Sequence, residues 1–201
     1  GDFTMSAQSR EFLFSVVVPT YNVEPWIDTF FMSLVKQTSG LGDLIQVIVV
    51  DDGSTDRSTE IAKKWAAQYP ENIIYVRKEN GGLSSARNHG LQFVKGKWVT
   101  FSDPDDFFHE DYFAVVKNFL EQNNFNGLCI SCDPIIYDEA TKRFVNSHPL
   151  NFRYAEDLKI INLMNNPEYI QLQVCSSFIN CDKLKSSKRV FDSRVKPSFE
   201  D

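Results

Sequence analysis

Short apolar runs alternate with helical stripes along the first two-thirds of this chain, and that alternation limits what it can fold into. Phe14-Ser15-Val16-Val17-Val18 is a mostly apolar run closed by Pro19. From about Glu24 to Thr38, Trp26, Ile27, Phe30, Phe31, Leu34 and Val35 recur at helical spacing, the mark of an amphipathic helix. Ile45–Val50 is a second run. Behind it come the turn Asp52-Gly53-Ser54-Thr55, Asp56 as a cap, and a helix predicted over Ser58–Tyr69. Asn72–Val76 is a third run, followed by Gly81-Gly82 and a helix from about Ser84 to Val94 that Gly96 closes. Trp98–Phe101 is a fourth run, ahead of a helix over about Asp111–Gln122 and a strand over Gly127–Ser131. Strands that are apolar on both faces need cover on both faces, and single-helix connections imply parallel neighbours. The expectation is an α/β fold with a mostly parallel central sheet between two helical layers. Beyond Asp133 the pattern weakens to a hairpin over 135–145, a short helix over 157–164 and a strand over 171–179.

The length of 201 residues suits one domain, over 12–201, with 1–11 as a flexible segment or tag remnant. The chain starts at Gly1 without signal-peptide character and stops at Phe199-Glu200-Asp201, which is read as truncation of a longer protein. No apolar run approaches the roughly 20 residues that span a bilayer. A cytoplasmic location is expected, with any place at the inner membrane face supplied by other parts. A net charge of −6 argues against a nucleic-acid partner, which calls for a basic face. Cys129 and Cys132 have zinc-like spacing but fall in and beside a strand. They are read, with Cys175 and Cys181, as reduced core cysteines.

Ligands of a parallel α/β sheet bind at the carboxyl ends of its strands. Three of the runs end in unusual polar clusters: Pro19-Thr20-Tyr21-Asn22, Asp51-Asp52-Gly53-Ser54 and Asp103-Pro104-Asp105-Asp106. Three carboxylates within four residues repel one another unless a cation compensates. An Mg²⁺ or Mn²⁺ ion that keeps water and phosphate oxygens as further ligands is the natural partner. Successive residues at a strand end point to opposite sides, so one carboxylate of Asp51-Asp52 can face a crevice while the other serves the turn. Asn80-Gly81-Gly82 allows close backbone approach to a ligand at a helix start, where anions are favoured. Arg87 lies in the first turns of that helix and would serve as a fixed cation.

These blocks, in this order, resemble glycosyltransferase family 2, an inverting family with the GT-A fold. The matching stretches are Ser15–Asn22, Val49–Asp56, Glu79–Asn88 and Phe101–Asp106, with Phe191-Asp192 through Phe199-Glu200-Asp201 as a final block. The resemblance implies that Thr20 and Tyr21 line the donor's base pocket, that Asp52 binds the base and that Arg87 lies near base or phosphates, with Pro19, Gly82 and Pro104 also expected to contact the donor. It places Asp103 at the ribose or metal shell, Asp105 on a divalent metal bridging the diphosphate, and Asp201 as general base. Pro104 stands where the family usually has a small polar residue; proline removes a donor and stiffens the loop. The implied reaction is metal-dependent inverting transfer from a UDP-linked sugar to a glycan or lipid-linked acceptor. The chain is also similar to modules of bacterial capsule and teichoic-acid assembly proteins, some of them fused to further domains.

Rival classes fare less well. A nicotinamide-dependent dehydrogenase needs Gly-x-Gly-x-x-Gly where this chain has Pro19-Thr20-Tyr21-Asn22. A receiver-like signalling domain accounts for Asp51-Asp52 but not for the second acidic loop. A non-catalytic or truncated nucleotide-sugar-binding module is the alternative that remains open.

Overall fold

The computed structural model describes residues 10–145, 160–162, 164–166, 174–187 and 191. Four strands, β1 (Phe12–Thr20), β2 (Ile45–Asp51), β3 (Ile73–Arg77) and β4 (Gly96–Phe101), alternate with three helices, α1 (Ile27–Val35), α2 (Ser58–Gln68) and α3 (Leu83–Leu91). Then come α4 (Tyr112–Asn123), β5 (Cys129–Ser131), a hairpin of β6 (Ile136–Asp138) and β7 (Arg143–Val145), and β8 (Ser177–Asn180) leading into α5 (Cys181–Ser187). The main sheet has the order β3-β2-β1-β4-β8-β5. β1 pairs in parallel with β2 and β4, and β2 with β3.

Period-two alternation sorts the strand residues into two cores. Phe14, Val16 and Val18 of β1 join Val47 and Val49 of β2 on one face, under Phe30, Phe31 and Leu34 of α1, Trp65 of α2 and Phe113 of α4. Val17, Ile48 and Val50 face the other way, with Val99 and Phe101 of β4, Ala86 of α3 and Cys181 of α5. Each run is therefore apolar throughout because both faces are covered.

Two expectations are corrected. Gly96 does not close α3, which ends five residues earlier; it opens β4. A Cβ there would lie 2.6 Å from the Ser15 backbone N and 2.7 Å from Phe14 C, so glycine is required where β4 is pressed onto β1. The strand Gly127–Ser131 shrinks to β5, and it does not join the parallel array directly. β8 inserts between β4 and β5, antiparallel to both, so the sheet is mixed at that edge. The expected hairpin over 135–145 forms, with Tyr137 opposite Phe144. The helix expected over 157–164 falls mainly outside the described residues, as does the first part of the strand expected over 171–179. No described helix is long and apolar enough to cross a membrane.

Candidate active site

The strand order reverses at β1: β2 and β3 lie to one side of it and β4 to the other. A crevice at the carboxyl ends of β1 and β4 follows, because the chain leaves these two strands in opposite directions. Pairing of β1 with β4 stops at Val17 and Phe101, whereas pairing with β2 continues to Thr20 and Asp51. Buried Pro19 sits on this one-sided extension, where a strand tolerates a missing N–H.

One wall of the crevice is a braced pair of loops. Thr20 is buried, and its carbonyl accepts the Asp52 N–H at 2.9 Å. Asn22, at φ 53°, accepts through Oδ1 from the Thr55 and Asp56 amides, while its own N–H donates to Ser54 Oγ. Asp56 Oδ1 accepts the Ser58 N–H at 2.9 Å, holding the start of α2. Tyr21 is left 51% exposed on the rim.

The adjacent carboxylates have separate tasks. Asp51 is wholly buried and accepts from Ser54 N at 2.7 Å, Thr59 Oγ1 and Tyr75 Oη at 2.5 Å each, and Arg77 at 3.1 Å. Burial raises its pKa, but the hydrogen bonds from Thr59, Tyr75 and Ser54 together outweigh that and hold it below the usual carboxylate value. Asp51 is thus the turn residue. Asp52 points instead to the glycine loop. It accepts from Gly82 N at 2.8 Å, from Gly81 N at 3.0 and 3.2 Å, and from Lys78 Nζ at 2.6 Å. Gly82 adopts φ 85°; a Cβ would meet nothing within 4 Å, so the backbone conformation, not space, demands glycine.

The other wall is the acidic loop. Arg87 is 1% exposed, a buried cation rather than a surface one. Its guanidinium stands 3.8 Å from Asp103 Oδ1 and 5.4 Å from the Phe191 ring centroid. Cys175 adjoins both Arg87 and Asp103, its Sγ 3.7 Å from the first and 3.6 Å from the second. Pro104 is buried and Asp105 exposed. Asp106 is exposed as a residue, yet partial desolvation of its carboxyl, then the charges of Asp105 and Asp103, push it up to about 6.

The structure thus joins Thr20, Asp52 and Gly82 on one side and Arg87 with Asp103 on the other. Asp201 lies outside the described residues. Lys78 was missed: it follows Arg77 at the end of β3, where only Asn80-Gly81-Gly82 was read as a ligand contact. Burial pushes the Cys132 and Cys181 thiols up to about 11, which keeps them protonated at neutral pH.

Asp106 carries a pH prediction. Its folded pKa lies above the unfolded value of about 3.9, so its ionised form costs stability above about pH 6, and protonation on acidification relieves that cost. Asp106→Asn should therefore gain more over wild type at about pH 7.5 than at about pH 5. Paired denaturant titrations measure this, and a difference independent of pH would contradict it.

A family model for glycosyl transferase family 2 matches residues 15–189. The minor teichoic acid biosynthesis protein GgaB of Bacillus subtilis (strain 168) is 38% identical over 192 residues, which make up 96% of this chain and 20% of GgaB. GgaA of the same organism is 31% identical over 186 residues, 92% of this chain and 40% of its own length. The chain therefore spans well under half of these relatives. The crystal structure of S. aureus TarS 1–349 in complex with UDP-GlcNAc has a TM-score of 0.74 at 25% identity, covering 93% of this chain and 50% of that one. The family match takes in all the strand-end clusters of the crevice, and its structural neighbours are GT-A glycosyltransferases. The chain belongs to glycosyl transferase family 2.

Proposed function

We propose that this domain transfers a sugar from a UDP-linked donor to a hydroxyl of a glycan or lipid-linked acceptor, with inversion, in the synthesis of a teichoic-acid-type cell-surface polymer. The observation that carries the proposal is the crevice between β1 and β4, with Thr20 and Asp52 on one wall and Arg87, Asp103 and Asp105 on the other. The relatives named for teichoic acid synthesis and the TarS complex with UDP-GlcNAc support the polymer and the donor class.

In this assignment Tyr21 covers the base, and Asp52 accepts its imide N–H. A carboxylate offers about four acceptor positions; Asp52 already holds Lys78 and two loop amides, which leaves room for one more donor. Arg87 fixes Asp103 beside the ribose. Among the described residues no three His, Cys, Asp or Glu side chains converge as a metal cage. The exposed carboxylate of Asp105, with Asp103 near it, still fits a hard divalent ion that draws most of its ligands from diphosphate and water. Such an ion, Mn²⁺ or Mg²⁺, would act as a Lewis acid on the departing diphosphate. Asp201 is assigned the proton of the attacking hydroxyl.

A thermal-shift screen of nucleoside diphosphates with and without Mn²⁺ tests the proposal. UDP with Mn²⁺ at a hundredfold excess over its dissociation constant should stabilise the domain by about 2.7 kcal/mol. Asp105→Asn should lose the Mn²⁺-dependent part of the shift and retain the remainder. No metal-dependent shift with any nucleotide would sink the donor site.

A further inference from the structure

Two residues past Asp105, Phe107 leaves the acidic loop and meets the hairpin. Its ring lies 5.5 Å from that of Tyr137 and 6.4 Å from that of Phe144, centroid to centroid. Tyr137 and Phe144 are cross-strand partners with rings 5.2 Å apart, so both stand on one face of the hairpin. The three ring planes are inclined to one another by 78°, 62° and 55°, a tripod rather than a stack. Phe107 remains 41% exposed and Phe144 65%. Aromatics gathered in this way on a surface mark a binding face.

The position and chemistry of the tripod select its occupant. Two residues of chain reach at most about 7 Å between Cα atoms, so the Phe107 ring and the carboxylate assigned to the diphosphate are carried by the same short loop. An acceptor hydroxyl must approach the donor sugar in that neighbourhood. The face of an aromatic ring carries partial negative charge, which complements the polarised C–H groups on one side of a pyranose. The aliphatic side chains that would suit a lipid tail, Ile136 and Val145, pair one position away and so point to the opposite face. The hairpin tip carries both signs, with Glu139, Lys142 and Arg143 exposed and the Asp138 carboxylate accepting the amides of Ala140 and Thr141. That mixture can hydrogen-bond sugar hydroxyls but does not select an anionic ligand.

We propose that Phe107, Tyr137 and Phe144 form an acceptor subsite that receives the apolar face of a pyranose ring. The proposal rests on the assignment of Asp105 to the donor site. Saturation-transfer NMR on the complete chain tests it, using methyl β-D-glucopyranoside, methyl N-acetyl-β-D-glucosaminide and octyl β-D-glucopyranoside, with and without UDP and Mn²⁺. Transfer to the axial C–H protons of a glycoside is expected. Phe144→Ser should cut it about fivefold, the size of an aromatic contact, while Phe144→Tyr preserves it and the UDP-induced thermal shift is unchanged in both. Ring signals equal in wild type and Phe144→Ser would overturn the subsite, as would transfer confined to the octyl chain, which marks an apolar docking face. No transfer to any glycoside while UDP binds would also overturn it and leave the donor site standing. A failure of UDP alone removes the donor assignment, and ring saturation measured without nucleotide still decides the subsite.

Discussion

Phe14→Ala is expected to destabilise the domain by about 3–5 kcal/mol, a large share of the roughly 5–15 kcal/mol that holds a domain together. Phe14 is completely buried near the start of β1. Its ring lies 5.5 Å from Phe113 of α4 and 4.9 Å from Phe178 of β8, centroid to centroid, and those two stand 5.8 Å apart. One side chain therefore fastens a helix and the inserted antiparallel strand to the central strand. Truncation leaves a cavity lined by rings that β1, paired on both sides, cannot move to fill. Denaturant titration should show a lower midpoint with an unchanged slope. A loss below about 1 kcal/mol would mean that this cluster is not the core described above.

Asp201→Asn is expected to lower transfer by about 10²–10⁴-fold while leaving donor binding intact. An acceptor hydroxyl is a weak nucleophile until a base takes its proton as it attacks, and a single displacement with one base inverts the anomeric centre. The amide has nearly the shape of the carboxylate but cannot receive that proton. Donor affinity should hold, because the donor contacts assigned here come from Thr20, Asp52, Arg87 and the acidic loop. Single-turnover transfer measured beside the UDP-induced thermal shift separates the two effects. Near-normal transfer with donor bound would remove Asp201 from the role of base.

Much of this architecture was legible because local rules governed it. The runs at Phe14, Ile45 and Trp98 could only be strands covered on both faces, and two-residue alternation foretold that Asp51 and Asp52 would part company. Which of the two entered the turn depended on Thr59, Tyr75 and Arg77, from α2 and β3, which no local pattern connects. The place of β8 was hidden for the same reason: Ile179 and Asn180 pair with Val99 and Trp98, partners 80 and 82 positions apart in the chain, and only three-dimensional packing decides that. Gly96 misled because a glycine after a helical stripe usually ends the helix, whereas here it serves the close approach of two strands. Arg87 was seen as a cation near phosphate; its burial against Phe191 and Asp103 came from residues far along the sequence. Lys78 had a local signal, a cation just past a strand end.

A donor bound as proposed occupies the crevice between β1 and β4. Amide chemical-shift mapping with ¹⁵N-labelled protein, titrated with UDP in the presence of Mg²⁺, locates the ligand most directly. Perturbations are expected to concentrate at residues 20–22, 52–54, 80–88 and 102–106, with the β6–β7 hairpin unmoved by UDP alone. Perturbations centred elsewhere, or none at saturating UDP, would contradict it.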